Sequence, residues 1–297
     1  MAIFPLFWHP VATIRVRKAG NRSTGPLQHF VLRGFAGPST LSNMFPLRDE
    51  NPTELFPFVT ILLIATNVLV WLLVQGGGVA EPFLSSLCAY GAIPAEITGA
   101  VGPGDTVSLG EASCMIGGYS WTTLVTSMFM HGGWMHLIGN MWFLWVFGNN
   151  IEDSMGHLRY AVFYLLCGIL AALTHVFIDP SSTIPTVGAS GAISGIMGGY
   201  IVLYPKVRVY TLIFLVVYVR VIPMSALAVL GLWFAIQLFS GLASGAGAGG
   251  GVAFWAHVGG FVAGVVLVKL FAKRKLVEAK HAGVVLTKEQ IGRFGSW

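Results

Sequence analysis

Residues 187–204 read VGASGAISGIMGGYIVLY, an apolar run without a single charged side chain. Its length approaches the roughly 20 residues that an α-helix needs to cross a bilayer. Gly191, Gly195 and Gly199 recur at every fourth position and therefore share one face of such a helix. Small residues on one face let a neighbouring helix approach closely. The run therefore predicts a transmembrane helix that packs tightly against a partner.

The composition of the whole chain indicates a membrane protein. Hydrophobic residues make up 55% of the 297 residues and charged residues 10%, against roughly 25% charged in an ordinary soluble domain. The predicted fold class is all-α, a polytopic membrane protein with a bundle of six transmembrane helices. The six predicted spans are residues 56–74, 131–147, 158–178, 187–204, 224–240 and 254–272. The apolar run 211–219 is too short to span, and we expect it in an interfacial loop.

The positions of the basic residues predict the orientation of the spans. The chain has 17 lysines and arginines, and none lies in residues 76–130, 179–186 or 241–253. With six spans, all of them fall on one side, as the positive-inside rule requires. We therefore expect a protein of the plasma or inner membrane, with both termini in the cytoplasm. This scattered distribution also argues against a nucleic-acid-binding domain.

Three regions are predicted along the chain. Residues 1–43 form an N-terminal extension that contains basic residues but no acid, which is typical of a transit peptide. A start of translation at Met44 is the alternative, and the sequence favours it because MFPLRDENPTELFPF resembles a complete beginning. Residues 44–275 form the membrane domain, and residues 276–297 form a polar cytoplasmic tail.

Polar side chains within spans are costly in lipid and suggest function. The predicted orientation runs the even-numbered spans from outside to inside, which brings His136, Asn140, Ser190 and His257 to a similar depth near the outer face. Ser190 also lies at a predicted helix start, where free backbone N–H groups stabilise an anion. His257, Gly260 and Gly264 share one helix face, so a serine could reach the imidazole across a close helix contact.

These groups predict serine-type hydrolysis. Ser190 is the expected nucleophile, His257 the general base, and Asn140 a neutral amide donor to the oxyanion; His136, four residues earlier, shares the helix face of Asn140. No aspartate or glutamate lies in a span near Ser190 or His257, so we expect a Ser–His dyad whose base is positioned by packing. The sequence implies no cofactor and no metal; an interhelical hydrogen bond that only stabilises packing is the alternative role for Asn140.

Three motifs resemble the rhomboid family of intramembrane serine proteases. They are HGGWMHLIGNMWFLWVFGNNIED (131–153), VGASGAISG (187–195) and AHVGGFVAG (256–264). The resemblance covers roughly residues 44–275. It implies a nucleophile at Ser190, a base at His257, oxyanion donors at His136 and Asn140, and cleavage of single-span transmembrane substrates near the outer membrane face without metal or nucleotide.

Two positions depart from the family pattern. A Trp-Arg pair often precedes the second span, whereas this chain has Trp121 followed by Thr122, so the first loop is expected to be anchored differently. Some members stack an aromatic ring on the base four residues after the nucleophile, where this chain has Ser194. The packing partner of the imidazole is therefore open.

Two other functions are alternatives to proteolysis. An inactive rhomboid-like protein that binds membrane clients should lack the serine or the histidine, and this chain has both. A small transporter could use a proton relay of histidines, namely His131, His136, His175 and His257, but the sequence shows neither acidic partners nor internal repeats.

The three cysteines divide between a loop and a span. Cys88 and Cys114 share the loop 76–130 and could form a disulfide or remain two thiols. Cys167 lies within the third predicted span and is expected to be free.

Overall fold

A computed structural model describes residues 44–109, 112–117, 121–215, 218–244 and 253–281 of the chain. The predicted extension, residues 1–43, lies outside the described residues, as do residues 282–297 of the predicted tail.

Helices account for most of the described chain. In chain order they are α1 (Phe58–Leu69, continued by a π-helical turn, Val70–Val74), α2 (Ala80–Tyr90), α3 (Pro94–Thr98), α4 (Thr123–Thr126), α5 (Trp134–Met155), α6 (His157–Ile178), α7 (Ser190–Leu203), α8 (Ala226–Ser244), α9 (Phe254–Phe271) and α10 (Arg274–His281). Short 3-10 turns lie at Gly76–Gly78 and Ser127–Phe129. A helix therefore occupies each of the six segments that the sequence predicts to cross the membrane. These helices are α1, α5, α6, α7, α8 and α9.

Three of these helices are long and apolar enough to cross a bilayer, by length and composition. They are His157–Ile178, Ala226–Ala243 and Phe254–Phe271. The apolar stretches Phe58–Val74 and Ser190–Leu203 are shorter. Large apolar side chains on the outer faces of these helices are exposed, among them Leu62, Leu158, Phe239, Val266 and Leu270. An apolar outer surface is expected for a helix bundle surrounded by lipid, because apolar side chains that face lipid tails are not exposed to water.

The prediction of an all-α fold is wrong in one respect, because the chain also forms strands. They are β1 (Met44–Asp49), β2 (Thr106–Leu109), β3 (Ala112–Met115), β4 (Arg208–Leu215) and β5 (Tyr218–Ser225). β4 and β5 form an antiparallel hairpin, and β1 pairs antiparallel with β4, with Phe45 opposite Leu212. Residues 211–215 of the short apolar run lie in β4 and residues 218–219 lie in β5, so the predicted loop between the fourth and fifth spans contains this hairpin. Its β-branched and aromatic side chains suit a pleated, half-buried surface.

α7 lies at the centre of the bundle and contacts α5, α6, α8 and α9. The side chains from Gly191 to Tyr200 are all buried. An apolar helix surrounded on every side by protein needs small residues where its neighbours approach most closely. This central position places the first turn of α7, with Ser190, between the starts of the neighbouring helices.

The C-terminal end of α5 is tied to both ends of the described chain. The carboxylate of Asp153 accepts a hydrogen bond from the backbone N–H of Leu55 (2.9 Å), and the Lys280 ammonium of α10 lies 2.9 Å from it. Lys280 also donates to Asn150, whose amide donates to Asp49 at the end of β1. Burial raises the pKa of Asp49 and lowers the pKa of Lys280. The predicted domain boundary after residue 275 therefore falls inside a helix that packs against the bundle.

Candidate active site

The site rests on a contact between α7 and α9 at which backbone meets backbone. A β-carbon placed on Gly260 would lie 2.0 Å from the carbonyl oxygen of Gly191. One placed on Gly264 would lie 1.9 Å from that of Gly195. Any larger residue at these positions would force the two helices apart. The glycine faces that the sequence predicts on these two helices therefore do face each other.

This close contact brings Ser190 and His257 together. Ser190 is the first residue of α7, and His257 lies in the first turn of α9. The serine Oγ is 2.8 Å from the imidazole Nε2, within hydrogen-bond distance. The serine is half-buried and the histidine is buried. A hydroxyl hydrogen-bonded to an imidazole is the arrangement in which a histidine can activate a serine as a nucleophile.

The imidazole has a second partner that the sequence reasoning missed. Gln237 of α8 is completely buried, and its Oε1 lies 2.7 Å from Nδ1 of His257. The expectation that packing alone positions His257 is therefore wrong. The signal was present in the sequence, since Gln237 is an amide within the predicted span 224–240.

Ser194 and Trp233 complete the surroundings of the pair. Ser194 is buried and its Oγ donates to the carbonyl oxygen of Ser190 at 2.6 Å, so this hydroxyl is occupied within its own helix. The indole of Trp233 on α8 packs near His257, with ring centroids 5.8 Å apart and planes tilted by 43°. The aromatic neighbour of the base thus comes from α8 and not from the position of Ser194.

The two predicted oxyanion donors lie on one face of α5. Nδ1 of His136 accepts the backbone N–H of Gly132 at 3.1 Å, so a neutral His136 carries its proton on Nε2. That Nε2 faces Gly188, where an added β-carbon would be 2.9 Å from it and 3.5 Å from Oγ of Ser190. Gly188 has a φ of 128°, which only glycine adopts readily. Asn140, one turn further, is buried, and neither of its amide atoms has a partner among the described residues.

The segment between α1 and α5 is anchored close to the start of α7. Ala92 and Thr186 form an antiparallel β-bridge, and the Thr98 hydroxyl donates to the carbonyl of Pro180 at 2.7 Å. Trp121 itself is 60% exposed. This loop is therefore held by contacts to the α6–α7 connection, in a chain that lacks the Trp-Arg pair of other family members.

A disulfide also holds this segment. Cys88 of α2 is joined to Cys114 of β3, with Cα atoms 5.3 Å apart, and Cys167 in α6 is free and buried. Of the two alternatives for these cysteines, the structure has the disulfide. The bond closes a loop of intermediate length and restricts the unfolded chain.

The described part of the chain does not join the remaining histidines to one another by hydrogen bonds, although the ring centroids of His131 and His136 are 5.2 Å apart. Within the described residues, neither ring nitrogen of His131 has a hydrogen-bond partner, and the same holds for Nδ1 of His175. His136 bonds to a backbone N–H, and His257 bonds to Gln237 and Ser190. Across the same ranges, no group of three His, Cys, Asp or Glu side chains is placed to hold a metal ion.

A comparison with protein families decides the class. The model of the rhomboid domain matches residues 118–274, which is more than half of the chain. The chain belongs to the rhomboid family. The matched residues include all of α5 to α9 and therefore Ser190, Gln237 and His257. With three helices able to cross a bilayer, this rhomboid is a multi-pass membrane protein.

Individual relatives carry rhomboid names, and some of these names include a compartment, chloroplastic or mitochondrial. Rhomboid-like protein 11, chloroplastic, of Arabidopsis thaliana is 36% identical over 77 residues, which are 26% of this chain and 27% of that protein. Rhomboid protease GluP of Bacillus subtilis is 29% identical over 142 residues, 48% of this chain and 24% of its own length. RHOMBOID-like protein 4 of Arabidopsis thaliana is 30% identical over 151 residues, 48% of this chain and 32% of its own length. The chain thus spans about a quarter to a third of these relatives.

Proposed function

We propose that this rhomboid is an active intramembrane serine endopeptidase, with Ser190 as nucleophile and His257 as general base. The observation that carries the proposal is the 2.8 Å contact between Oγ of Ser190 and Nε2 of His257. A rhomboid-like protein that only binds membrane clients would have no need for a serine and an imidazole in this contact. The protease name of the Bacillus relative supports the same function.

The reaction follows from the geometry of the pair. Oγ of Ser190 attacks the carbonyl carbon of the scissile peptide while Nε2 of His257 takes the hydroxyl proton. The tetrahedral intermediate collapses to an acyl-enzyme, and the imidazolium returns the proton to the leaving amine. Water then attacks the ester with the same histidine as base, which releases the acid product and restores the serine.

The oxyanion is stabilised by donors at the start of α7 and on α5. The N–H groups of the first helical turn have no acceptor within the helix, so that of Ser190 is available. His136 presents a protonated Nε2 towards Gly188, and Asn140 holds an unpartnered amide one turn further along the same face, among the described residues. Donors fixed in place before the reaction stabilise charge that develops in the transition state.

Six spans with both termini in the cytoplasm are proposed for the membrane domain, in a plasma or inner membrane. Six helices occupy the predicted segments, and six crossings put every lysine and arginine on one side. Ser190 then lies towards the outer face. The proposed substrates are single-span transmembrane proteins, because a site between helix starts at that depth is reached from the lipid.

The test of the function is covalent labelling together with cleavage. Purified protein in proteoliposomes is treated with a fluorescent fluorophosphonate and, separately, with a panel of labelled single-span proteins. Wild type and Ser194→Ala should react and cleave, because the hydroxyl of Ser194 is occupied by the carbonyl of Ser190. Ser190→Ala should do neither while it remains folded. Undiminished labelling of Ser190→Ala would exclude the assignment, and an unreactive wild type would favour a client-binding protein.

A further inference from the structure

Gln237 lies where the orientation of the catalytic imidazole is decided. Its side chain is fully buried on α8, whereas His257 belongs to α9 and Ser190 to α7. The two contacts of the ring, 2.7 Å from Nδ1 to the amide oxygen and 2.8 Å from Nε2 to the serine oxygen, use both nitrogens. The imidazole therefore bridges two helices through hydrogen bonds at its opposite edges.

The two hydrogen bonds depend on each other through the tautomer of the ring. A neutral imidazole has one N–H donor and one lone-pair acceptor. To accept the proton of Ser190, Nε2 must be the acceptor, so Nδ1 must carry hydrogen and needs an acceptor. The amide oxygen of Gln237 is such an acceptor. With the amide turned over, its NH₂ would donate to Nδ1, and Nε2–H would then point at the serine, which is the wrong tautomer for a base.

We infer that Gln237 is a positioning residue for His257, a neutral third member behind the Ser190–His257 pair. The inference rests on the proposed protease function. The hydrogen bond from Nδ1 to the amide oxygen selects the tautomer and holds the ring plane towards Ser190. It also gives the imidazolium formed during acylation a partner for its second N–H.

An amide suits this position inside a bilayer better than a carboxylate does. No carboxylate among the described residues is hydrogen-bonded to His257. A buried, ionised acid within a span is costly unless its charge is paired throughout the catalytic cycle, and the imidazole is neutral for most of that cycle. Glutamine orients the ring through a dipole and adds no charge. Its stabilisation of the imidazolium is correspondingly weaker than that of an aspartate in a soluble serine protease.

The experiment compares kcat, KM and their pH dependence for reconstituted full-length variants, with any panel substrate that wild type cleaves and with the fluorophosphonate. Gln237→Leu keeps the approximate volume and removes the acceptor. We expect kcat and the labelling rate to fall by about 10- to 100-fold, the range known for hydrogen-bond partners of metal-binding histidines, while KM changes by less than about twofold. An unchanged kcat would overturn the inference.

Gln237→Glu tests the same contact through recovered activity and a changed pH profile, not through a loss of activity. It keeps an oxygen acceptor, so kcat should recover relative to Gln237→Leu. A carboxylate beside the ring favours the imidazolium, so the acid limb of the kcat profile should move to higher pH than in wild type. The other titratable side chains whose charge acts on the ring are His136 on α5 and His175 on α6, and both remain in every variant. A folded Glu variant whose kcat stays as low as that of Gln237→Leu would overturn the inference.

Leu230→Ala is the matched control for a purely structural role. Leu230 is buried on the same helix, seven residues before Gln237, and it has no group that can hydrogen-bond the imidazole; its truncation leaves a cavity. Folded protein of this variant should keep the wild-type kcat and pH profile. If it reproduced the behaviour of Gln237→Leu, Gln237 would only stabilise the bundle.

Two failures can be told apart. If wild type itself neither cleaves nor labels, the protease function fails and the inference fails with it. If wild type is active and the Gln237 variants match it, the inference alone fails.

Discussion

The carboxylate of Glu152, at the C-terminal end of α5, caps the start of α1 through Thr60. Oε2 of Glu152 accepts hydrogen bonds from the backbone N–H of Thr60 at 2.9 Å and from the hydroxyl of Thr60 at 2.7 Å. Oε1 accepts the backbone N–H of Val59 at 2.8 Å. Glu152 is completely buried. An acid at this position satisfies donors that a helix start leaves open and complements its positive end.

Replacing this cap should destabilise the bundle. Glu152→Ala leaves buried donors of Val59 and Thr60 without an acceptor, so we expect a loss of about 2–5 kcal/mol in the free energy of unfolding. Denaturation by SDS titration from mixed micelles measures this loss. Glu278→Ala is the control, because Glu278 is exposed and pairs with the exposed Arg274, and its stability should match wild type. Equal stability of the two variants would contradict the capping role.

The glycine contact between α7 and α9 predicts a second destabilising change. Gly260→Ala places a methyl group 2.0 Å from the Gly191 carbonyl oxygen, so the helices must separate. We expect a loss of about 1–3 kcal/mol and a drop in activity, because the same contact aligns Ser190 with His257. Gly231→Ala on α8 is the control: the nearest atom to its new methyl group is 4.0 Å away, and alanine favours helix. A fully active, stable Gly260→Ala protein would refute the tight contact.

Asn140→Ala should act on the transition state. An amide that binds the oxyanion contributes mainly after charge has developed, so kcat should fall, corresponding to about 2–4 kcal/mol, with KM little changed. Asn67→Ala is the control, because Asn67 is also a buried amide but donates to the carbonyl of Leu63 in its own helix. If the loss appeared wholly in KM, or if both variants behaved alike, Asn140 would be a binding or packing residue.

The disulfide gives a test of sidedness. Cys88 and Cys114 are joined, and the distribution of basic residues predicts that their loop lies outside the cytoplasm. A membrane-impermeant maleimide applied to intact cells should label the half-buried Cys88 only after reduction, while the buried Cys167 stays unlabelled. Labelling that requires both reduction and an opened membrane would put the loop in the cytoplasm. The proposed orientation of the active site would then be reversed.

Much of the candidate site can be predicted from the residues in order. Ser190 and His257 each lie near the start of an apolar run, and the alternation of spans sets them at one depth. Periodic glycines mark the faces that meet, because a helix repeats its faces every three to four residues. Local pattern is enough for these features, since membrane helices are long, regular and internally hydrogen-bonded.

The sequence did not identify Gln237 as the hydrogen-bond partner of His257. Gln237 is a single amide in an apolar helix, with no spacing that relates it to His257 twenty positions later. Which way that amide points depends on the rotation of α8 against α9. This rotation is set by the packing of both helices, including Trp233 against the imidazole.

The amino-acid sequence by itself determined the helical segments, the distribution of basic residues among the loops and the similar depth of Ser190 and His257, because each depends on local periodicity or on counting spans. Only the tertiary structure decided the contacts made between distant segments. β1 pairs with β4 across more than half of the chain, Cys88 reaches Cys114, and Gln237 reaches His257. Such contacts depend on the arrangement of whole helices, whose packing energy is spread over many side chains and leaves no local pattern at either end.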